Sequence, residues 1–206
     1  MCIRDSLIGV LAAGVSAVMA LILGICAATL GKKVDSAISF AIDTVMGIPH
    51  ILLLILISYA MGKGLKGVIA GVALTHWTSL ARLIRGEVMQ LRESEYIQIA
   101  GKLGLGKWEI AKKHIVPHVL PQFIVGLVLL FPHAILHESS ITFLGFGLST
   151  EQPAIGVILS ESMRYLIMGK WWLAVFPGMM LVLTVVLFEK GGTALRQLLD
   201  PGSVHK

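Results

Sequence analysis

The stretch ESEYIQIAGKLGLGKWEIAKKHIVPHVLP, Glu93 to Pro121, decides how this chain is read. Its centre, GKLGLGKW, nearly spells the phosphate-binding loop G-x-x-x-x-G-K-[ST], in which glycine amides wrap phosphate, Lys supplies charge and a hydroxyl holds Mg²⁺. Gly101, Gly106 and Lys107 fit, but Trp108 stands where the hydroxyl is required. Such a loop also follows a buried strand, whereas SEYIQIAGKL is a helix-like polar segment among charges. The match is accidental, and the stretch takes its meaning from what surrounds it.

What surrounds it is apolar. Of 206 residues, 56% are hydrophobic and 14% charged, and the mean hydropathy is +0.85, which excludes an ordinary soluble surface. Leu7 to Leu30 carries no charge and is long enough to cross a hydrocarbon core of roughly 30 Å. Ala37 to Met61 holds one acid, Asp43, and a Pro49-His50 pair; Gly67 to Ala81 is short and uncharged. Ile115 to Leu136 has histidines but no Asp, Glu, Lys or Arg, and Trp171 to Phe188 opens with two tryptophans suited to an interface. The expectation is an all-α polytopic membrane protein with about five transmembrane helices, residues 1–206 forming one membrane domain. Ser139 to Leu159 is broken by GFG, Glu151 and Pro153, so residues 139–165 read as an external re-entrant or interfacial segment.

The net charge of +5 does not imply nucleic acid. With the Glu93 stretch in the cytoplasm, the inner side receives Lys32, Lys33, Arg82, Arg85, Arg92, Lys102, Lys107, Lys112, Lys113, Lys190, Arg196 and Lys206. The outer side receives only Arg4, Lys63, Lys66, Arg164 and Lys170, which is the positive-inside distribution. Cys2 and Cys26 give neither a disulfide framework nor a cysteine metal site. The opening MCIRDS reads as a false beginning, with upstream sequence missing.

Arg82 to His114 is too charged to cross the bilayer. Ile97, Ala100, Leu103 and Leu105 make an apolar stripe near helical period, with Glu95, Gln98 and Lys102 elsewhere. Gly104 and Gly106 permit a tight turn, after which WEIAKKHIVP reads as a second helix ending near Pro117.

The spacing of Glu95, Ile99-Ala100, Gly104 and Val116-Pro117 resembles the E-A-A-x3-G-x9-I-x-L-P signature of ABC importer permeases. WTSLARLIRGEVMQLRESEY, SSITFLGFGL, PAIGVILSESMRYL, WWLAVFPG and LRQLLDPG are similar to the peptide/nickel-type members, so the likeness runs from about Lys33 to Gly202. Departures are Ile99 for the first Ala, His114 for the Ile and Val116 for the Leu. The resemblance implies a type I importer permease fold lacking its first helix here, with residues 82–114 a coupling region that docks on an ATPase. Glu95, Tyr96, Ala100, Gly104, Leu105 and Gly106 are its contact candidates. It implies two ABC ATPases, which use ATP and Mg, a second permease and an extracytoplasmic substrate-binding protein as partners. The chain itself binds no cofactor, and its place is the cytoplasmic membrane of a prokaryote.

Polar groups inside spans mark candidate path linings: Asp43, His50, His76, His118 and His133. His133 and His137, four apart with Glu138 adjacent, could hold a transition metal, though no third ligand is legible and peptide-like cargo is the expected reading. A channel or secondary transporter remains the alternative on the helices alone. An intramembrane hydrolase lacks both H-E-x-x-H and G-x-S-x-G.

Overall fold

The computed structural model describes residues 3–199, so Cys2, Lys206 and the terminal Pro201-Gly202 lie outside the described residues. Among the described residues nine α-helices follow in order: α1 (Ile3–Thr29), α2 (Lys32–Gly47), α3 (His50–Ala60), α4 (Gly64–Glu93), α5 (Glu95–Lys102), α6 (Lys107–Ile110), α7 (Val116–Phe143), α8 (Ile155–Leu166) and α9 (Trp172–Leu199). A π-helical turn, Ala111–Ile115, joins α6 to α7. The chain is all-α among the described residues, as its hydropathy demands.

Among the described residues four helices are long and apolar enough to cross a membrane: α1, α4, the run Trp108–Phe143, and α9. A fifth crossing exists only if α2 and α3 count together, because they meet at a bend of 97°. The sequence predicts one span over Ala37 to Met61, and the chain breaks it at Ile48-Pro49. Ile48 is extended, at φ −89° and ψ 135°, because the proline ring bars helical backbone from the residue before it.

Two further expectations change. The short span Gly67 to Ala81 is the middle of the 30-residue α4, so Arg82 to Glu93 belongs to a long rod, and the projecting unit begins only at Ser94. The helix expected to stop near Pro117 instead runs on to Phe143. Proline removes one ladder hydrogen bond and crowds the carbonyl four residues back. The wider π turn immediately upstream gives that carbonyl room, and the helix continues.

The centre of the bundle is α1 against α4. Gly9, Ala12, Ala13, Ser16, Ala17, Ala20, Gly24, Ala27 and Ala28 are the small buried residues of α1, and small residues let helix backbones approach closely where lipid offers no hydrophobic drive. A methyl added at Gly24 would lie 2.9 Å from the Ala81 carbonyl oxygen. Ser16 Oγ donates to the Ala73 carbonyl at 2.9 Å, a hydrogen bond between the helices that is worth more packed than exposed.

The two ends of the bundle differ. At one end Arg92 donates to the Ala28 carbonyl, tying the last turn of α4 to that of α1, and α5 and α6 project. α2 lies beside α4 there, held by Arg85 with Asp35 and by Arg82 with Asp43, the latter pair at 2.6 Å. At the other end, loop 144–154 is tied to α4 and α3, and the first residue of α8 to α1. Gly64 N–H donates to the Gly147 carbonyl at 3.1 Å, Ser58 Oγ to the Phe146 carbonyl at 2.9 Å, and Ile155 N–H to Asp5 Oδ2 at 3.2 Å. Glu138, fully buried, accepts from Thr142 Oγ1 at 2.8 Å, and Thr142 Oγ1 accepts from Leu148 N–H at 3.0 Å. The segment expected to be re-entrant is thus the end of α7 from Ser139 to Phe143, a stapled loop and the short α8. α9 is the least buried span, with 11% of its apolar window covered, so most of its surface faces lipid or another chain.

Two glycines of α4 separate close packing from helix propensity. A methyl at Gly67 would sit 2.6 Å from the Ser58 carbonyl oxygen, whereas one at Gly86 meets nothing. Gly67→Ala is expected to destabilise the protein by about 1–3 kcal/mol through overpacking. Gly86→Ala should leave stability unchanged or raise it by up to about 1 kcal/mol. Thermal unfolding of both variants in the same detergent checks the contrast.

Candidate functional site

Two features carry chemistry: the projecting unit at one end and a cavity within the bundle. In the projecting unit, α5 turns its Ile97 and Ala100 inward, both buried, with Ile97 packed in the cluster that contains Ala111 and Ile115. The helix ends in a Schellman motif, with Gly104 at φ 90°, Gly104 N–H donating to Gly101 and Leu105 N–H donating to Ala100. Only glycine adopts that backbone without strain, so the tight turn read at Gly104 is present. Two bonds closing on the last turn fix the angle between α5 and α6.

The outward face carries most of the expected contact residues. Glu95, Tyr96, Gly104 and Gly106 are exposed and Leu105 is half-buried, while Ala100 lies beneath. Ala100 is on the buried side of α5 together with Ile97. Leu103, expected in the buried stripe, is 80% exposed, and Trp108 is 82% exposed. The stripe fails there because Leu103 falls at the cap, where the chain leaves helical register. With Tyr96 and Ile99, exposed as well, they place four large apolar side chains at the surface of a charged unit. The sequence signal that could have found them is the run of large apolar residues at the glycine turn. The signature's acid position, immediately before Ile99-Ala100, is occupied by Gln98, with Glu95 one turn earlier.

The cavity measures about 710 Å³ and lies between the α2–α3 break, α4 and α7. Its walls include Met46, Pro49, Thr75, Ser79, Leu130 and four histidines: His50, His76, His133 and His137. Among the described residues no Asp, Glu, Lys or Arg lines it. Of the expected path residues, His50, His76 and His133 are there. Asp43 is not, being paired with Arg82, and neither is His118.

The pair His133 and His137 is only partly joined. His133 is exposed and its Nδ1 meets the Leu129 carbonyl at 2.7 Å. His137 instead packs on His50 and His76, with ring centroids 4.6 Å and 4.9 Å away. Glu138 points away, into the bonds with Thr142 and Ser139. The third and fourth imidazoles come from α3 and α4, which helical spacing within one segment could not supply.

A family model described as "Binding-protein-dependent transport system inner membrane component" matches residues 20–203. The chain is 32% identical over 194 residues to the dipeptide transport system permease protein DppC of Bacillus subtilis, covering 94% of this chain and 61% of that one. It is 31% identical over 194 residues to the oligopeptide transport system permease protein OppC of the same organism, covering 94% and 63%. It is 31% identical over 186 residues to the nickel transport system permease protein NikC of Escherichia coli, covering 89% and 66%. The chain thus spans about three fifths to two thirds of the length of these relatives. A solved structure, the MetNI methionine ABC transporter in inward-facing conformations, matches with a TM-score of 0.76 at 16% identity, over 96% of this chain and 93% of that one. That likeness confirms the importer-permease fold.

The two faces of α5 differ in access. In a background with Cys2 and Cys26 replaced by Ser, Leu103→Cys is expected to react with a membrane-impermeant maleimide at least about tenfold faster than Ala100→Cys, since thiol chemistry needs access. Equal rates in inside-out vesicles would contradict the placement of Ala100.

Proposed function

We propose, from the premise that this chain belongs to the family of binding-protein-dependent transport system inner membrane components, that it is a permease subunit of an ATP-driven importer. It forms half of a translocation path for peptides or a related small solute, nickel among them, and a second permease supplies the other half. Two ATPase subunits, using ATP and Mg, dock on the projecting unit from the cytoplasm, and a substrate-binding protein delivers cargo from outside.

The observation that carries this reading is the apolar face of Tyr96, Ile99, Leu103 and Trp108 on a unit locked at Gly104. A mobile loop could bind an ATPase but could not pass on its motion. Here α5 is joined at one side to α4 by a single residue, Ser94, and at the other to α6 and the continuous run into α7. Both rods reach the cavity, α4 with His76 and α7 with His133 and His137. A tilt imposed on α5 therefore moves two walls of the cavity together. Relatives of peptide and nickel systems support the cargo class. A channel without ATPases would have no use for this rigid unit.

Gly104→Trp tests the coupling. Nothing lies within 4 Å of a side chain started at Gly104, so the bundle is untouched and the damage falls on the turn, where left-handed backbone costs a non-glycine residue about 1–2 kcal/mol, and on the docking face. The variant is expected to reach the membrane at normal levels while the assembled complex loses its substrate-stimulated ATP hydrolysis. Retained stimulation would sink the coupling reading.

A further inference from the structure

His50, His76 and His137 come from three helices and converge on one wall of the cavity. The third pair of rings, His50 with His76, has its centroids 4.7 Å apart, and one ring nitrogen from each of the three lies within 4.8 Å of the others. His50 Nε2, His76 Nε2 and His137 Nδ1 are buried and have no hydrogen-bond partner. A buried polar atom left unsatisfied costs about 1–3 kcal/mol, and three such atoms in one place ask for a shared partner that accepts lone pairs.

We infer that these three histidines form a site for one divalent transition-metal ion of the Co²⁺, Ni²⁺ or Zn²⁺ class, with the remaining coordination position open to the cavity. Imidazole suits this class of ion, and three nitrogens with an open position is a known ligand count for it. The geometry is near what such an ion needs. Metal–nitrogen bonds of about 2.0–2.1 Å set ligand nitrogens about 3.3 Å apart. Closing from 4.8 Å takes ring rotations in a torsion that is broad for histidine.

The outer contacts fit the same role. His76 Nδ1 lies 3.0 Å from the Val72 carbonyl. An N–H donated there leaves Nε2 with its lone pair toward the other two rings, the arrangement that orients a metal-bound imidazole. Thr75 Oγ1, 3.1 Å from the same Nδ1, braces the ring. Among the described residues no Lys or Arg lines the cavity to repel a cation. No carboxylate among the described residues lines it either, so the ligands are neutral and the ion is held without charge neutralisation. Such a site releases its ion more readily than a closed thiolate site, which suits an ion in passage. The site stands on this geometry alone; its use for cargo rests on the transport reading above.

The test titrates Co²⁺ into the purified protein in detergent, carrying a tag without histidine and stripped of metal beforehand, and follows ligand-field absorption in the visible. One Co²⁺ per chain is expected, displaced by Zn²⁺. His50→Gln and His137→Gln should each weaken binding by at least about tenfold, while His118→Gln, outside the cavity, should bind as the parent does. Circular-dichroism melting establishes that each variant is folded. Absent ligand-field bands in the parent protein overturn the site, leaving three rings bridged by water. Undiminished binding in a folded His50→Gln/His137→Gln double variant overturns it equally. No ATPase takes part in this measurement, so a negative result removes the metal site and leaves the importer reading standing.

Discussion

The close approach of α1 to α4 is the constraint on which the rest of this molecule depends. In a bilayer, lipid tails solvate Leu as well as another helix does, so association has to come from packing and from hydrogen bonds between helices. α1 meets the need with Gly, Ala and Ser on the buried face, and the space they leave is occupied by the larger α4 residues Leu80 and Ile84, both buried in one cluster with Ala17, Ala20 and Ala28. Ser16 adds a bond to a backbone oxygen of α4. An α4 clamped along its length behaves as a rod, and at 1.5 Å per residue the distance from His76 to Glu93 is about 25 Å. That rod links the cavity to the projecting unit.

The second rod exists because the chain tolerates its own prolines. Pro117, Pro121 and Pro132 would be expected to divide the apolar run after His114, yet the helix is continuous from Val116 to Phe143. The π turn takes up the misfit once, upstream of the first proline, and places no break between the projecting unit and His137. Pro49 does the opposite. Nothing upstream relieves it, so the helix ends, α3 starts afresh, and His50 stands at its first turn, facing the cavity.

Charge is distributed in the same sense. The ion pairs of α2 with α4 lie at the projecting end, where both Arg82 and Asp43 keep more than half of their surface in contact with solvent. Pairs of that kind contribute little to stability, about 0–1 kcal/mol each. On the cavity wall the polar side chains are hydroxyls and imidazoles, which can meet a solute without holding it by full charge. An uncharged wall suits passage, because a buried fixed charge would either trap a counter-ion or exact a large desolvation cost.

The composition and the length of the apolar runs were enough to determine a polytopic helical membrane protein, since a backbone in lipid has to satisfy its own hydrogen bonds and a crossing needs about twenty apolar residues. The turn at Gly104 was equally legible, because only one residue type takes left-handed backbone freely and it stood between two helical patterns. What the sequence misjudged were boundaries. Arg82 and Arg85 belonged to a segment too charged to cross the bilayer, and they extend α4, where ion pairs with α2 satisfy their charge; Leu103 looked buried, yet the cap turns it outward. The histidine trio was beyond reach for a different reason. Spacing along one helix can pair His133 with His137, but it contains no information about which rings on other helices will face them. Only the bend at Pro49 and the tight seating of α3 on α4 at Gly67 bring His50 and His76 to His137, and those are properties of helices packed together.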